Sequence, residues 1–290
     1  MRSSGAKGVL AMFIAVAAFS FMDALLKLFS AHYPPVQVIF LRAVASLPFL
    51  LLPLWWRGGL AELRPTRPWL HLLRALLGIL MLGTFIVALR DAPLASVYSV
   101  YMFAPLLIAA LAAWFLRERV EAGCWIAIVV GFLGVLVILQ PRPGGLPAAA
   151  GLAALVSALC YAIAVLVARV LTRTEHTAAV VFSFLALISL IAGAFALPRW
   201  VSVDPAHWAF VVAAGGFGAA GQHYITLAFK HAPAAVVAPV EYSALLWGLA
   251  LDRVFWGVAP NPTVLAGAAL VIAAGAYVAW RERHPEVPTT

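Results

Sequence analysis

The sequence has 290 residues, of which 65% are hydrophobic and 10% charged, and its mean hydropathy is +1.02. Globular proteins carry about 25% charged residues, so this composition excludes a soluble domain with a water-facing surface. The 19 Lys and Arg outnumber the 11 Asp and Glu, but most of them lie in short gaps between apolar runs. That pattern is typical of membrane topology signals and predicts a lipid bilayer rather than a nucleic acid as partner.

The apolar runs form ten segments separated by Pro, Gly and charged residues. A hydrocarbon core of about 30 Å requires about 20 residues of helix, and each run approaches that length. The first run carries Asp23 and Lys27 and lacks a small-residue cleavage site, so we interpret it as a retained helix. The predicted spans are 8–30, 35–54, 70–90, 93–115, 123–140, 147–169, 177–197, 207–229, 233–253 and 262–280.

The distribution of cations between the gaps predicts the orientation of the chain. Ten spans place both termini on one side of the membrane. Twelve Lys and Arg fall on that side and four on the other. Because cytoplasmic loops carry an excess of Lys and Arg, we expect the N- and C-termini to be cytoplasmic.

An internal repeat relates the two halves of the chain. A shift of 140 residues places Ala92-Pro93 on Ala232-Pro233 and Tyr101 on Glu241. Each copy holds five spans, an odd number, so the second copy must cross the membrane in the opposite sense. We therefore predict an all-α membrane protein of ten transmembrane helices arranged as two inverted five-helix repeats, 8–140 and 147–280. Inverted repeats are typical of secondary transporters, with the substrate site between the halves.

These motifs also carry a family resemblance over residues 8–280. The chain resembles the drug/metabolite transporter superfamily, in particular its members with paired EamA domains. Within that superfamily it is similar to the YddG-type exporters of aromatic and other amino acids. The residues that carry the resemblance are 88–105, 116–119, Gly131, Gly134, Ala232-Pro233, 239–242, 255–257, Gly267 and Gly275.

The resemblance implies a multi-pass exporter of small metabolites in a bacterial inner membrane, with amino acids as the expected cargo. Other cargo of the superfamily, such as drugs or nucleotide sugars, is an alternative. Phosphorylated cargo needs several cavity cations, for which Lys27 and Arg42 are the candidates. A membrane-embedded lipid enzyme is a further alternative, but it needs a clustered catalytic set. The two cysteines, Cys124 and Cys160, form no metal or redox motif. We therefore expect no enzymatic activity, no metal and no cofactor.

Ionisable residues inside the spans are the first candidates for a substrate site. Each costs about 2.5–3.5 kcal/mol at mid-helix on insertion scales and by default faces a partner or a cavity. Asp23 and Lys27 are spaced i,i+4 and share a helix face. One interpretation is a structural pair that extends to Arg42. The other is a zwitterion site, in which Asp23 binds the ammonium and Arg42 the carboxylate.

Glu241 is the repeat counterpart of Tyr101, so we expect both residues near the central axis. A buried carboxylate can bind a cation or exchange a proton during transport, which predicts a coupling role. The alternative is a structural hydrogen bond from Glu241 to His223, Gln222 or a tyrosine hydroxyl.

Aromatic residues complete the predicted site, because small-molecule cavities are largely apolar and aromatic. The alternative for each is packing or a place in the interfacial aromatic belt. The predicted substrate-binding residues are Asp23, Arg42, Tyr98, Tyr101, Tyr161, His223, Glu241, Tyr242 and Trp247.

Overall fold

The computed structural model describes residues 2–56, 59, 63–115, 122–139, 146–231 and 240–283. Within these ranges the chain is helical, with short 3₁₀ turns and no strand. The predicted motif residues 116–119 and 232–239 lie outside the described residues. The helices are α1 (Arg2–Ser30), α2 (Pro35–Trp56), α3 (Pro68–Asp91), α4 (Leu94–Tyr101), α5 (Ala104–Phe115), α6 (Ala122–Leu139), α7 (Ala148–Leu171), α8 (Thr177–Ala196), α9 (Trp208–His231), α10 (Ala244–Trp256) and α11 (Pro262–Arg283).

These helices form the ten predicted segments, because α4 and α5 belong to one segment that is interrupted at Met102 and Phe103. In the described part of the chain, seven segments have the length and hydropathy of membrane spans, and α6 is apolar but shorter. The segments α9 and α10 complete the set. The protein is therefore an all-α membrane protein, and the predicted fold class is confirmed.

The interruption between α4 and α5 recurs in the second half at the position that the repeat predicts. Phe103 N–H donates to the Val100 carbonyl at 3.0 Å, and Ser243 N–H donates to the Val240 carbonyl at 2.9 Å. Both bonds span three residues, the spacing of a tight 3₁₀ turn, and α5 and α10 begin directly after them. Tyr101 and Glu241 immediately precede the two turns, so the backbone reproduces the repeat inferred from the sequence.

Helix packing follows the symmetry of two inverted repeats. The repeat relates α1 to α7, α2 to α8, α3 to α9 and α6 to α11. The most extensive contacts are between α1 and α9, α3 and α7, α2 and α8, and α6 and α11. Exchanging the halves converts the α1–α9 contact into the α7–α3 contact and leaves the other two pairs unchanged. Since each of these four pairs joins the two halves, the repeats interleave rather than lie side by side.

Among the described residues, two large apolar clusters fill the bundle, with a smaller one between α1 and α9. One large cluster is built around α4, α6, α10 and α11, and the other around α1, α2, α3 and α8. Large apolar side chains such as Trp56 (74% exposed) and Trp114 (77% exposed) lie on the outside, as expected for a surface that faces lipid. At the C-terminal end of α10, Gly257 has φ +65°, a left-handed conformation that favours glycine at a helix end.

The two ends of the bundle are named here by the chain termini. The terminal face is the end at which α1 begins and α11 ends. The opposite face is the end at which α1 ends and α2 begins, and it also carries the connection between α8 and α9.

Candidate functional site

A polar cluster lies between α1, α2 and α4, well inside the membrane-spanning segments. The Tyr98 hydroxyl donates to Asp23 Oδ2 at 2.9 Å, and Arg42 Nε donates to Met22 Sδ at 3.1 Å. The Arg42 guanidinium interacts electrostatically with Asp23 and with Tyr101, although Arg42 and Asp23 form no direct ion pair in the described part of the chain. Asp23, Arg42 and Tyr101 are each partly exposed, whereas Tyr98 is buried. The cluster thus presents one anionic and one cationic group to a narrow space.

Aromatic rings from α3, α4 and α7 border this space. The Tyr101 ring centroid lies 5.3 Å from that of Tyr161 and 5.4 Å from that of Phe85, and Phe85 lies 6.3 Å from Tyr98. These separations are those of favourable aromatic pairs. The predicted residues Tyr98, Tyr101 and Tyr161 are therefore brought together in the structure.

Glu241 lies near the tyrosine pair. It interacts electrostatically with Tyr101 and Tyr161, and its carboxylate accepts no hydrogen bond from a described residue. His223 is exposed on α9, where its ring lies 5.4 Å from that of Tyr224. No contact between His223 and Glu241 is found among the described residues, so the predicted hydrogen bond between them is absent there.

Tyr242 packs against α11 and interacts electrostatically with Glu241, and Trp247 packs against α1. A Cβ at Gly275 of α11 would overlap the Tyr242 hydroxyl, so that hydroxyl lies directly against α11. The Trp247 ring lies 5.5 Å from Phe13 and 5.8 Å from Phe21, both on α1. The buried Trp247 Nε1 has no hydrogen-bond partner among the described residues, which leaves it available as a donor.

Lys27 does not form the pair with Asp23 that its i,i+4 spacing suggested. Its Nζ lies 3.5 Å from Asp252 Oδ1, donates to the Ala92 carbonyl at 2.8 Å, and lies 4.4 Å from the centre of the Trp256 ring. The Asp23 carboxylate instead accepts from Tyr98, and Asp252 reaches Lys27 from the end of α10. The expected structural pair of Asp23 and Lys27 is therefore wrong.

Asp252 also fixes the start of α4, a role that the sequence analysis missed. Its two carboxylate oxygens accept hydrogen bonds from the backbone N–H groups of Leu94 at 2.9 Å and Ala95 at 2.8 Å. A carboxylate at this position satisfies N–H groups that have no partner within the helix. Asp252 is the penultimate residue of the predicted span 233–253, and the rule for intramembrane charges could have singled it out.

Arg74 is the second functional candidate that was missed. Its Nη1 donates to the Val180 carbonyl at 2.8 Å, its guanidinium lies 4.3 Å from the centre of the Phe184 ring, and it interacts electrostatically with Tyr161. Arg74 lies within the predicted span 70–90, so the same rule applies to it. In the residues that the structure describes, no group of His, Cys, Asp and Glu is arranged to hold a metal ion.

At the terminal face, one buried carboxylate joins two loops, and we call its contacts the Glu175 fastening. Glu175 lies between α7 and α8 and accepts hydrogen bonds from Thr66 N–H at 3.1 Å, Thr66 Oγ1 at 2.8 Å and Arg67 N–H at 3.1 Å, and it contacts His71 Nε2 at 2.7 Å. Burial alone raises the pKa of Glu175, but the hydrogen bonds from Thr66 and His71 outweigh that effect, so the pKa lies below its ordinary value. The fastening joins a loop of the first half to a loop of the second.

At the opposite face, the α1–α2 connection and the start of α2 contact the segment before α9. Tyr33 Oη is hydrogen-bonded to His207 Nδ1 at 2.7 Å and accepts from Asp204 N–H at 3.1 Å. Gln37 Nε2 donates to the Val201 carbonyl at 2.6 Å, and Val201 N–H donates to Gln37 Oε1 at 3.0 Å. Together with the Lys27–Asp252 pair, these contacts form the distributed fastening, which also joins the two halves.

One small cavity borders the polar cluster at Arg42. The cavity has a volume of about 10 Å³ and is lined by Leu26, Phe29, Val38, Leu41, Val211 and Ala214. This volume is near the minimum for one water molecule.

A ten-segment membrane protein with two inverted repeats and charged side chains inside its spans has the architecture of a membrane transporter. The EamA-like transporter family matches the chain twice, over residues 6–140 and 149–280. The chain belongs to this family.

Relatives of known or assigned cargo extend over nearly the whole chain. It is 31% identical to the pseudopaline exporter of Pseudomonas aeruginosa, and the alignment covers 92% of this chain and 94% of the relative. It is 32% identical to the riboflavin transporter of Rhizobium johnstonii, with 96% and 93% covered. It is 24% identical to the S-adenosylmethionine uptake transporter of Rickettsia felis, with 90% and 88% covered.

A crystal structure of a protein at 23% identity superimposes with a TM-score of 0.68 and covers 97% of this chain and 99% of its own. At that identity the similarity shows the fold alone. Since the relatives are named as transporters, with different cargo and both directions of transport, the protein is a membrane transporter of small metabolites. The narrower resemblance to aromatic amino acid exporters is not shown by these relatives.

Proposed function

We propose that the protein is a secondary transporter that exports amino acids or their derivatives across the bacterial inner membrane, with its termini in the cytoplasm. The halves 8–140 and 147–280 alternate in access to the site between them. The observation that carries the proposal is the pair of opposite charges, Asp23 and Arg42, beside the tyrosine pair Tyr101 and Tyr161 at membrane depth. A zwitterion offers an ammonium to Asp23 and a carboxylate to Arg42, while its side chain lies against the rings.

Alternating access is supported by the two fastenings, because both cross between the halves. A rocking motion that separates the halves at one end breaks the contacts there and keeps those at the other end. In the observed conformation, the contacts of both fastenings are formed. Opening the terminal face admits cargo from the cytoplasm, and opening the opposite face releases it.

Coupling to protons is assigned to Glu241, which faces the same space and has no hydrogen bond from a described residue. Exchange of a proton or an ammonium group at this carboxylate changes the net charge of the site by one. That change alters the preference of the site for cargo. Replacing Glu241 with Gln removes any dependence of transport on a pH gradient under this proposal.

A planar heterocyclic cargo is a second candidate. The close Tyr101–Tyr161 pair favours it, as does the similarity to a riboflavin transporter. Binding of such a cargo depends more on contact with the two tyrosine rings than on the charges of Asp23 and Arg42. Loss of transport in Tyr101→Ala with full retention in Asp23→Asn supports this candidate over a zwitterion.

Uptake into proteoliposomes that contain only this protein tests the proposal. The solutes are radiolabelled Phe, Trp, Met, Thr and riboflavin, each with and without a pH gradient. We expect saturable uptake of an amino acid that falls at least tenfold in Asp23→Asn and Arg42→Gln, because each variant leaves the opposite charge unpaired.

Arg90→Gln is the matched control, since Arg90 is exposed at the end of α3. A variant that exchanges the charges of Asp23 and Arg42 separates binding from structure. If it folds and restores uptake, the two residues serve as a structural pair, and the zwitterion site is rejected.

A further inference from the structure

We propose that a groove between α2 and α8, at the opposite face, binds a phospholipid whose headgroup carries a net negative charge. The groove lies between residues 34–37, at the start of α2, and residues within 194–199, at the end of α8. We call it the lipid groove. Its volume is about 530 Å³, within the range of sites that bind small organic molecules. None of its lining residues belongs to the polar cluster, so lipid binding here is independent of the cargo.

The lipid groove lies at the depth of the membrane surface. Both of its helices have the length and hydropathy of membrane spans, one beginning at Pro35 and the other continuing through Arg199. Trp200 follows directly, is exposed, and packs its ring against that of Phe40 at 5.8 Å between centroids. Tryptophan is enriched where the hydrocarbon core meets the lipid headgroups. The headgroups of the surrounding lipids are therefore level with the groove.

The groove opens on the outer surface of the bundle. Phe195, which lines it, is 71% exposed, and Leu197 on the same segment is also exposed. Large apolar side chains that remain exposed on a membrane-spanning bundle are suited to contact with acyl chains. The acyl chains of a lipid in the groove would therefore extend along this surface.

The charge of the lining gives the class of headgroup. Arg199 lines the groove and is exposed, and its guanidinium forms no ion pair with a residue that the structure describes. A guanidinium can donate two parallel hydrogen bonds to one phosphate group. The described lining residues include no Asp or Glu, so the cation of a zwitterionic headgroup such as phosphocholine finds no anionic partner there. A headgroup with a net negative charge therefore matches the groove better.

A lipid in this groove contacts both halves of the protein. One wall belongs to the first repeat and the other to the second, and Gln37, which lines the groove, is hydrogen-bonded to the Val201 backbone. Separation of the halves at the opposite face would break these bonds and move the two walls apart. A lipid that binds between the walls therefore favours the conformation in which the halves are joined at this face.

Native mass spectrometry of the full chain, released from detergent, tests the inference by counting bound lipids during a titration. The probes are phosphatidylglycerol, whose headgroup has a net negative charge, and phosphatidylcholine with the same acyl chains. We expect the first phosphatidylglycerol to bind about fivefold more tightly, the effect of one cation near an anionic lipid. Arg199→Gln lowers this ratio of affinities to about one. Arg90→Gln, which removes another exposed cation at the same face, leaves the ratio unchanged.

Ala194→Trp provides a second variant, because its ring fills the groove while Arg199 is retained. We expect this variant also to lose the preference for phosphatidylglycerol. Equal affinities of the two lipids for the wild-type protein overturn the inference, as does a preference that persists in both Arg199→Gln and Ala194→Trp. A preference that Arg90→Gln removes as fully as Arg199→Gln also overturns it, since the effect would then be one of general surface charge.

Free glycerol phosphate distinguishes a lipid from a soluble phosphate as the ligand. It carries the phosphate group without acyl chains. We expect it not to displace phosphatidylglycerol at equal concentration, because it lacks the contacts with Phe195 and the apolar surface. Displacement at equal concentration would identify a soluble phosphate site and overturn the assignment to a lipid.

Discussion

The contacts that join the two halves are arranged differently at the two faces of the bundle. At the terminal face, one buried carboxylate collects four contacts, all on Glu175. At the opposite face, the contacts are spread over the Tyr33, Gln37 and Lys27 groups, each with its own partner. A concentrated set of contacts forms or breaks as one unit, whereas a distributed set can break in steps. We therefore expect the terminal face to open in a single step and the opposite face to open in several steps.

Connection length accounts for part of this difference. Five residues join α7 to α8, so Glu175 is held close to both helices. Eleven residues, 197–207, join α8 to α9 and supply several separate backbone partners. Removing one contact should therefore cost more at the terminal face than at the opposite face.

The largest effect is expected for Glu175→Ala. The substitution leaves the buried N–H groups of Thr66 and Arg67 and the His71 ring without their shared acceptor, which should lower the free energy of unfolding by about 3 kcal/mol. Thermal unfolding of the purified protein in one detergent measures it. Asp91→Ala, at an exposed position, is the control, and an equal loss in both variants would contradict the concentrated fastening.

A smaller effect is expected for Asp252→Asn. The variant keeps one acceptor for the α4 backbone but leaves Lys27 without its counter-ion, and we expect a loss of about 2 kcal/mol. The double variant with Lys27→Met should lose less than the sum of the single variants, because the pair is removed together. Additive losses would show that Lys27 and Asp252 do not stabilise each other.

Gln37→Ala should have a still smaller effect. It removes two hydrogen bonds to the Val201 backbone, which is not fully buried and can bind water instead. We expect a loss of about 1 kcal/mol. A loss larger than that of Glu175→Ala would reverse the comparison between the faces.

The smallest loss in the free energy of unfolding is expected from the acid titration of Glu175. Above about pH 5, we expect no loss from this group. Because hydrogen bonds hold the pKa of Glu175 below its ordinary value, its contribution to stability is complete above the pKa of the unfolded chain. The contribution is lost as the pH falls through the lower pKa of the folded state. Unfolding measured between pH 7 and 3 should show this loss in the wild type and a weaker one in Glu175→Gln.

The sequence predicted features that depend on periodicity and failed on features that depend on contacts between distant segments. The repeat placed Tyr101 and Glu241 at equivalent positions, and both precede matched turns in the structure. The partner of Lys27 was not predictable from helix spacing, because Asp252 is 225 residues away. His223 satisfied the rule for intramembrane charges, but only the packing of α9 on α1 and α2 decides which way it faces.

The crossing of α6 and α11 has a mechanical consequence. A Cβ at Gly134 would lie 2.8 Å from the Gly267 carbonyl oxygen, and a Cβ at Gly267 would lie 2.7 Å from the Gly134 carbonyl oxygen. The two backbones touch here, at a contact between the halves, with no side chain between them. For the rocking motion proposed above, we expect this backbone contact between the halves to act as a pivot. Gly134→Ala would add a methyl group at this contact. We expect it to block the motion while leaving the charged groups of the site unchanged.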